Sequence, residues 1–234
     1  MDLKELGNVN PETHWYYNFK AETLIGKNKV KLGNPKVIIE IGAGSAFFLN
    51  KASMLFPEAE CIAVDPYYDI NNFPEYKNLS YSLNIPKKKA DLVMLIDVLE
   101  HVEDDLQLLS DAARSARQGS KYIISVPAFQ FLWSGHDDFL GHKRRYKAKE
   151  LSKLAESAGL KVEDCGYLFG GIFPGVVLFR FTKKILGKSK GESSDMRPIR
   201  KFINNFMRVF LKLSGPINKN RYFGLSAYVI ASKI

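Results

Sequence analysis

The sequence has few of the features that mark secreted or membrane-spanning proteins. Its 234 residues include only two cysteines, Cys61 and Cys165. Both fall in predicted strands, where we expect them to pack as small apolar side chains in a reduced, cytoplasmic protein rather than to form a disulfide. The first residues, MDLKE, lack the basic and apolar regions of a secretory signal. The apolar stretch at 166–179 is interrupted by Pro174 and is shorter than the ~20 residues of a bilayer span.

Acidic residues are scarce in one region of the chain. The net charge is +9. From Arg180 to Arg221 there are twelve lysines and arginines and only two acids, Glu192 and Asp195, which gives this segment a net charge of +10. The rest of the chain is therefore close to neutral. A basic surface favours an anionic partner, and here that expectation applies to one C-terminal segment and not to the whole fold.

Strand and helix patterns alternate along the chain. Seven strands are predicted by the runs KVIIEI (36–41), ECIAVD (60–65), NLSYSL (78–83), ADLVMLID (90–97), KYIISVP (121–127), LKVEDCGYLF (160–169) and GLSAYVIASKI (224–234). Helices are predicted at 11–26, 45–56, 103–116 and 148–159, a polar loop at 128–146 and a mobile loop at 187–195. This alternation predicts a single α/β domain over 1–234 with a doubly wound, mostly parallel sheet.

Two glycines and a carboxylate stand at the ends of the first two predicted strands. Ligands of open α/β sheets bind beyond the carboxyl ends of the strands, where Gly42 and Gly44 let the backbone approach closely. Asp65 can accept hydrogen bonds from both hydroxyls of a ribose. A dinucleotide fingerprint would need Gly or Ala at position 47, and Phe47 argues against NAD. The structural alternative is an ordinary tight turn beside an exposed Asp65.

These residues resemble the class I S-adenosylmethionine-dependent methyltransferases. VIIEIGAGSA followed by IAVDP is similar to the first two motifs of that family, and ADLVMLIDVLEHVED is similar to its fourth-strand motif. The region from SVPAFQFLW to SAGLKV is similar to a bacterial and archaeal subgroup of unassigned substrate. The resemblance implies a Rossmann-like sheet of seven strands with an antiparallel last strand, S-adenosyl-L-methionine as cofactor, and methyl transfer by in-line displacement.

The resemblance also implies which residues bind the cofactor. They are Glu40, Gly42, Ala43, Gly44, Asp65, Pro66, Ser82, Leu83, Asp97 and Val98. Asp65 would bind the ribose diol, Tyr67 would flank the adenine with Pro66, and Asp97 would line the sulfonium side. The third glycine of the usual loop is replaced by Ala46, a tolerable change where the backbone is helical. The acidic residue that often meets the adenine is absent, so backbone groups or Asn84 would substitute.

The predicted loop after the fifth strand carries the candidate catalytic residues. His136, Asp137 and His142 would face the cofactor mouth, because this loop also leaves a carboxyl strand end. Histidine is the natural general base near neutral pH for an oxygen or nitrogen nucleophile. The alternative is that these side chains bond to each other and only organise the loop. A metal site is disfavoured, because no third neutral ligand stands at helical spacing.

Two other groups of residues are expected beside the cofactor. His101 is expected to line or order the cofactor loop rather than to perform chemistry. Residues 1–35 are predicted to form a helical lid, in which His14, Trp15, Tyr16 and Tyr17 either cover the cofactor or pack in the core.

A basic amphipathic helix is predicted at 199–213, inside an insertion at 170–221 before the last strand. Its apolar face consists of Ile199, Phe202, Ile203, Phe206, Phe210 and Leu213, and its basic residues are Arg200, Lys201, Arg208 and Lys212. Two interpretations remain open. The helix packs against the core or a second copy, or it docks on the anionic inner face of a membrane.

Three functions follow from these patterns. The first is methyl transfer to an oxygen or nitrogen of a small-molecule, glycan-linked or lipid-linked acceptor. The second is RNA methylation, which the basic segment invites. The Asn/Asp-Pro-Pro-aromatic motif of base-amino methylation and an appended RNA-binding module are both missing, which disfavours a nucleic-acid partner. The third is a non-catalytic cofactor-binding protein.

Overall fold

The structure is a computed structural model that describes residues 9–69, 76, 78–185 and 200–234. Its centre is an eight-stranded sheet with the strand order β3-β2-β1-β4-β5-β8-β6-β7. The low-complexity stretch at 187–195 and Ile199 lie outside the described residues. Cys61 and Cys165 are both free thiols, which confirms that they do not pair with each other.

Five parallel strands form the half of the sheet that carries the predicted glycine loop. They are β1 (Val37–Ile41), β2 (Glu60–Val64), β3 (Leu79–Ser82), β4 (Ala90–Ile96) and β5 (Ala116–Pro127). The runs of β1 and β4 are nearly continuous in apolar residues because both faces of these strands are covered by helices. Since the strands are parallel, the loops after β1, β2, β4 and β5 leave the same edge of the sheet.

The other three strands form antiparallel pairs on the far side of the sheet. Strand β8 (Ser226–Lys233) lies between β5 and β6 (Leu160–Leu168) and is antiparallel to both. The prediction of a mostly parallel sheet with an antiparallel last strand is confirmed. The structure adds one strand to the seven predicted, β7 (Lys219–Asn220), which pairs with the end of β6. A two-residue strand carries no alternation of apolar and polar side chains, so the sequence gives no sign of it.

The helices lie on both sides of the sheet. They are α1 (Trp15–Leu24), α2 (Lys29–Leu32), α3 (Phe47–Leu55), α4 (Asp105–Ser115), α5 (Gly135–Leu140), α6 (Ala148–Ser157), α7 (Phe173–Ile185), α8 (Lys201–Leu213) and α9 (Gly215–Asn218). The prediction of a plain loop at 128–146 is wrong, because α5 lies inside it. Helix α5 is only six residues long and begins with a capping box of Ser134 and Asp137. None of the helices in the described part of the chain is long and apolar enough to span a membrane.

Candidate active site

The loop after β1 is shaped by glycines in the left-handed backbone region. Gly42 has φ +67°, and a Cβ added there would lie 2.5 Å from Cγ2 of Val98. Gly44 also has a positive φ, of 50°. Ala46 has φ 56° and ψ 17°, so its backbone is left-handed and not that of the helix, which begins at Phe47. The condition under which alanine is tolerable at position 46, a helical backbone, is therefore not met, and this conformation costs roughly 1–2 kcal/mol relative to glycine.

Asp65 joins the ends of β1 and β2. It is 7% exposed, and its Oδ2 accepts a hydrogen bond from the N–H of Gly44 at 2.9 Å while its Oδ1 accepts one from the N–H of Tyr67 at 3.0 Å. Each carboxylate oxygen accepts two hydrogen bonds, so each retains one acceptor position. The carboxylate is thus fixed by backbone donors at the sheet edge and keeps capacity for a ligand diol. The exposed Asp of the structural alternative is not what the fold contains.

The residues predicted to lie near an adenine follow β2 and β3, the two strands on one side of β1. Tyr67 is 83% exposed and Leu83 is 40% exposed. The Ser82 hydroxyl donates to the carbonyl of Asn84 at 2.6 Å, which closes the turn after β3. No carboxylate stands in this turn, so a ligand base here would meet backbone groups and the apolar side chain of Leu83.

Glu40 is buried under the glycine loop. It is 1% exposed, and its Oε2 accepts a hydrogen bond from the N–H of Leu49 at 2.9 Å. Its Oε1 has no hydrogen-bonding partner among the described residues. Burial raises the pKa of Glu40 to about 8. A buried carboxyl group with one free oxygen can receive a hydrogen bond from a polar or cationic ligand group in the loop.

Sequence reasoning missed the partner of Asp97. Nζ of Lys20, in α1, donates to both carboxylate oxygens of Asp97 at 2.6 Å. Lys20 is fully buried, whereas the Asp97 side chain is 28% exposed. Burial alone would lower the pKa of Lys20, but the charge of Asp97 raises it above its usual value. Lys20 follows Tyr16 by one helical turn, and this spacing placed both on one face of the predicted helix.

Helix α1 packs in the core, which is one of the two roles that the sequence left open, and its role as a lid over the cofactor stays a prediction. Tyr17 is 2% exposed and packs in the core. The ring of Tyr16 stacks on Phe169 at 4.6 Å between centroids, and its hydroxyl lies 3.4 Å from Nζ of Lys20. His14 caps the helix by accepting from the N–H of Tyr16, and burial lowers its pKa to about 4. The buried face of α1 therefore packs in the core, and Lys20 connects this helix to Asp97 at the carboxyl end of β4.

Asp137 is the centre of the loop after β5. It is fully buried and accepts hydrogen bonds from Nε of Arg145 at 2.7 Å and from the N–H of Ser134 at 2.8 Å. Its Oδ1 lies 2.9 Å from Nδ1 of His142. Burial alone would raise the pKa of Asp137, but the hydrogen bonds from His142 and Arg145 lower it well below its usual range. This geometry favours the loop-organising interpretation for Asp137, which holds His142 in place.

The loops after β4 and β5 meet at three titratable side chains. The N–H of Lys143 donates to the carbonyl of Glu100 at 2.7 Å, which ties the loops together. The rings of His101 and His142 lie 4.7 Å apart, and one ligand atom from each of Glu100, His101 and His142 lies within 4.8 Å of the others. Glu100 is fully buried, and both of its carboxylate oxygens lack a hydrogen-bonding partner among the described residues. Burial, and next the charge of Asp97, raise its pKa well above the usual value.

The sequence predictions missed this cluster because His142 follows Glu100 and His101 by 42 and 41 residues. His136, the other candidate base, lies at the cluster's margin, with its ring 6.4 Å from that of His142. The signal available in the sequence was the pair Glu100-His101, which follows shortly after the predicted fourth strand. The loop that carries His136 and His142 leaves the sheet at the same edge.

Comparisons with known proteins find methyltransferases of similar sequence and similar fold. A family model described as a methyltransferase domain matches residues 17–164. Methyltransferase str2 of Strobilurus tenacellus is 30% identical over 134 residues, which cover 55% of this chain and 49% of that protein. The malonyl-[acyl-carrier protein] O-methyltransferase of Hahella chejuensis is 26% identical over 158 residues, covering 59% and 57%. The chain thus spans about half the length of these curated relatives.

A solved structure with this fold is a SAM-dependent methyltransferase from Archaeoglobus fulgidus. It is 18% identical and has a TM-score of 0.53, and the similarity covers 93% of this chain and all of that one. At this identity the similarity shows the fold alone. The family model matches well over half of the chain, so the chain belongs to the class I S-adenosylmethionine-dependent methyltransferase family, and S-adenosylmethionine is its cofactor.

The residues at the sheet edge fit this cofactor. The left-handed turn at Gly42 leaves a cradle that any side chain would fill, and Asp65 keeps acceptor capacity for a diol. The Oε1 of Glu40, which has no partner among the described residues, and the partly exposed carboxylate of Asp97 supply hydrogen-bond acceptors for a polar, cationic ligand. The individual contacts of these residues with the cofactor remain predictions.

Proposed function

We propose that this chain transfers a methyl group from S-adenosylmethionine to an oxygen or nitrogen of a lipid-linked or otherwise hydrophobic acceptor, at an anionic membrane surface. The observation that supports this proposal is the exposed apolar face of α8, which is flanked by a basic stripe. Helices α7 and α8 both lie outside the residues that the family model matches. We therefore assign donor binding to the sheet edge. We assign acceptor selection to the part of the chain that carries α7 and α8, which is called the added segment below.

Helix α8 has a buried face that fixes it to α1. Leu211 is 1% exposed in the core. The Asn204 side chain accepts from the N–H of Trp15 at 2.8 Å and donates to the carbonyl of Thr13 at 2.7 Å. Since α1 also carries Lys20, which binds Asp97, α8 is anchored to the same helix that reaches the cofactor edge.

The outward face of α8 is apolar and exposed. Its members are Phe202 (82% exposed), Phe206 (59%), Val209 (56%) and Leu213 (81%). They recur at spacings of three and four residues, so they form one stripe along the helix. Exposed apolar side chains of this size and continuity mark a surface that contacts a partner or a lipid phase.

A basic stripe runs beside the apolar one. Lys201, Arg208 and Lys212 are exposed, and their spacings of seven and four residues place them on one side of the helix. An apolar stripe flanked by cations is the arrangement of helices that lie in the interface of anionic membranes. Each cation near such a surface contributes ~1 kcal/mol to binding. This charge complementarity favours an anionic membrane over a second copy, whose α8 would carry the same positive charge.

An aromatic cluster links the added segment to the loop after β5. Phe173, at the start of α7, packs on Phe129, Phe131 and Phe223 with ring centroids 5.5–6.3 Å apart. Phe131 is 64% exposed. A hydrophobic acceptor lying along these rings would reach the loop that carries His136 and His142. His136 and His142 are the candidate general bases of this loop, and Asp137 holds His142 through Nδ1.

Sedimentation with lipid vesicles tests the membrane part of the proposal. The protein should sediment with phosphatidylglycerol vesicles, should not sediment with phosphatidylcholine vesicles, and should be released by salt. Reversal of Lys201, Arg208 and Lys212 to glutamate should abolish sedimentation while S-adenosylmethionine affinity is retained. The matched control reverses Lys149, Lys153 and Lys161, which are exposed lysines on α6 and β6, and it should sediment as the wild type does.

Incorporation of labelled methyl groups tests the acceptor class. With labelled S-adenosylmethionine and a total lipid extract presented on anionic vesicles, label should enter the organic phase. Label that enters only water-soluble metabolites, together with absence of vesicle binding, would contradict a lipid-linked acceptor while leaving methyl transfer itself supported. Concentration-dependent dimerisation that buries α8 would assign the face to a second copy instead.

A further inference from the structure

We propose that Glu100, His101 and His142 form a binding site for a divalent transition-metal ion such as Zn²⁺, with Asp137 as the carboxylate that orients His142. The three side chains come from the loops after β4 and β5. One ligand atom from each lies within 4.8 Å of the others. Zinc ligands bond at ~2.0–2.2 Å, which places neighbouring ligand atoms roughly 3.3–3.6 Å apart, so the side chains need to close by about 1 Å.

The state of Glu100 is the independent observation that points to a ligand. Its side chain is fully buried, and neither carboxylate oxygen has a hydrogen-bonding partner among the described residues. The nearby cation Lys20 is already engaged by Asp97 through both oxygens of that carboxylate. A buried carboxyl group without a partner is costly, and a coordinated cation satisfies it.

The surroundings of His142 match those of a metal-binding histidine. Its Nδ1 lies 2.9 Å from Oδ1 of Asp137, which leaves Nε2 as the ring nitrogen for a metal. Metal-bound histidines almost always bond through their other nitrogen to a carboxylate or carbonyl, which fixes ring and tautomer. Asp137 is itself fixed by Arg145 and by the N–H of Ser134. The rigid chain Arg145–Asp137–His142 is thus built to aim one nitrogen at Glu100.

The ligand set selects the class of ion. Two imidazoles and one carboxylate suit zinc and other first-row transition metals, whereas Mg²⁺ and Ca²⁺ prefer all-oxygen sites. Three protein ligands leave a fourth position open, as in catalytic zinc sites. Val98 and Asp97 stand two and three residues before Glu100, so this open position lies beside the cofactor edge. At the open position, and only if the proposed function holds, the ion would bind a hydroxyl oxygen of the acceptor and lower the pKa of that hydroxyl.

Cobalt substitution tests metal binding without the methyl-transfer reaction. Untagged, chelator-treated protein is titrated with Co²⁺ and then with Zn²⁺ against a competing chromophoric chelator, in the absence of cofactor and acceptor. We expect one ion per chain, visible d–d bands of low-coordinate Co²⁺, and displacement of Co²⁺ by Zn²⁺. Bound Zn²⁺ should also raise the melting temperature.

Three variants separate the roles in the cluster. Glu100→Gln keeps the shape of the side chain and should weaken Zn²⁺ binding by at least about 100-fold, since loss of an outer partner alone costs ~10–100-fold. Asp137→Asn should weaken it within that smaller range. The control, Asp138→Asn, removes an exposed carboxylate from the same helix and should bind as the wild type does.

Two results would overturn the proposal. One is a wild-type protein that binds no more Co²⁺ or Zn²⁺ than the double variant Glu100→Gln/His142→Ala. The other is Glu100→Gln protein, folded by circular dichroism, that binds Zn²⁺ as tightly as the wild type. Failure of methyl transfer would leave both measurements intact, and failure of metal binding would leave a metal-independent methyltransferase.

Discussion

Along the carboxyl edge of β1, β2 and β4, polar and ionisable side chains lie inside the protein, whereas along α8 apolar side chains lie outside it. Glu40 and Asp65 are almost completely buried and are held by backbone N–H groups, while Phe202 and Leu213 are more than four-fifths exposed. Burial of polar groups and exposure of apolar side chains each raise the free energy of the folded protein when it has no partner. Both costs are offset if the edge meets a polar, cationic cofactor and the helix meets a lipid phase. Under the proposal above, the two regions face two different partners.

The largest effect is expected from filling the cradle at Gly42. Gly42→Val should abolish S-adenosylmethionine binding in calorimetry, because a Cβ there lies 2.5 Å from Val98 and the backbone has φ +67°. Gly119→Val is the matched control, since Gly119 has a similar φ of +79° and open space around the added Cβ. Normal cofactor affinity in folded Gly42→Val protein would show that the cofactor does not bind at this loop.

Two leucines of α8 allow a buried and an exposed apolar side chain to be compared within one helix. Leu211 is 1% exposed and Leu213 is 81% exposed. Leu211→Ala should lower the free energy of unfolding by about 2–5 kcal/mol, because it leaves a cavity in the core. Leu213→Ala should change it by less than about 0.5 kcal/mol and should instead weaken vesicle binding. Equal destabilisation by the two variants in urea titrations would mean that the outer face of α8 packs against the protein in solution.

The burial of Glu40 predicts a dependence of stability on pH. Its pKa of about 8 means that folded protein keeps a proton which the unfolded chain loses near pH 4.5. The stability contributed by protonated Glu40 is therefore complete below pH 4.5 and is lost as the pH rises towards 8. Glu40→Gln cannot ionise, so its free energy of unfolding relative to wild type should increase by roughly 2–4 kcal/mol from pH 5 to pH 8. Parallel pH profiles of the two proteins would contradict this environment for Glu40.

The sequence predicted the parallel half of the sheet well because the signal there is strong. The runs of β1 and β4 are apolar on both faces, and Gly42 and Asp65 stand where strands end. The features that it missed depend on contacts between distant segments. Lys20 meets Asp97 across 77 residues, and His142 meets Glu100 from another loop. No local pattern encodes such pairs, because they are created by the order of β1, β4 and β5 in the sheet.

The predicted helix at 199–213 shows a second limit of sequence reasoning. Its apolar and basic faces were visible from spacing, but spacing cannot tell which apolar residues are covered. The structure buries Leu211, which the predicted apolar face did not include, and leaves Phe202 of that face exposed to solvent. The division depends on where Asn204 bonds to α1, a contact 189 residues apart in sequence.

The ribose contact of Asp65 gives the most direct measurement of the central assignment, which is that the buried carboxylates at the sheet edge hold the cofactor. Calorimetric titration of wild type and Asp65→Ala with S-adenosylmethionine and with its demethylated product should show weaker binding of both ligands in the variant. The expected loss is ~1.5–3 kcal/mol, the value of hydrogen bonds to a charged acceptor. Unchanged affinity for both ligands in folded Asp65→Ala protein would contradict the assignment.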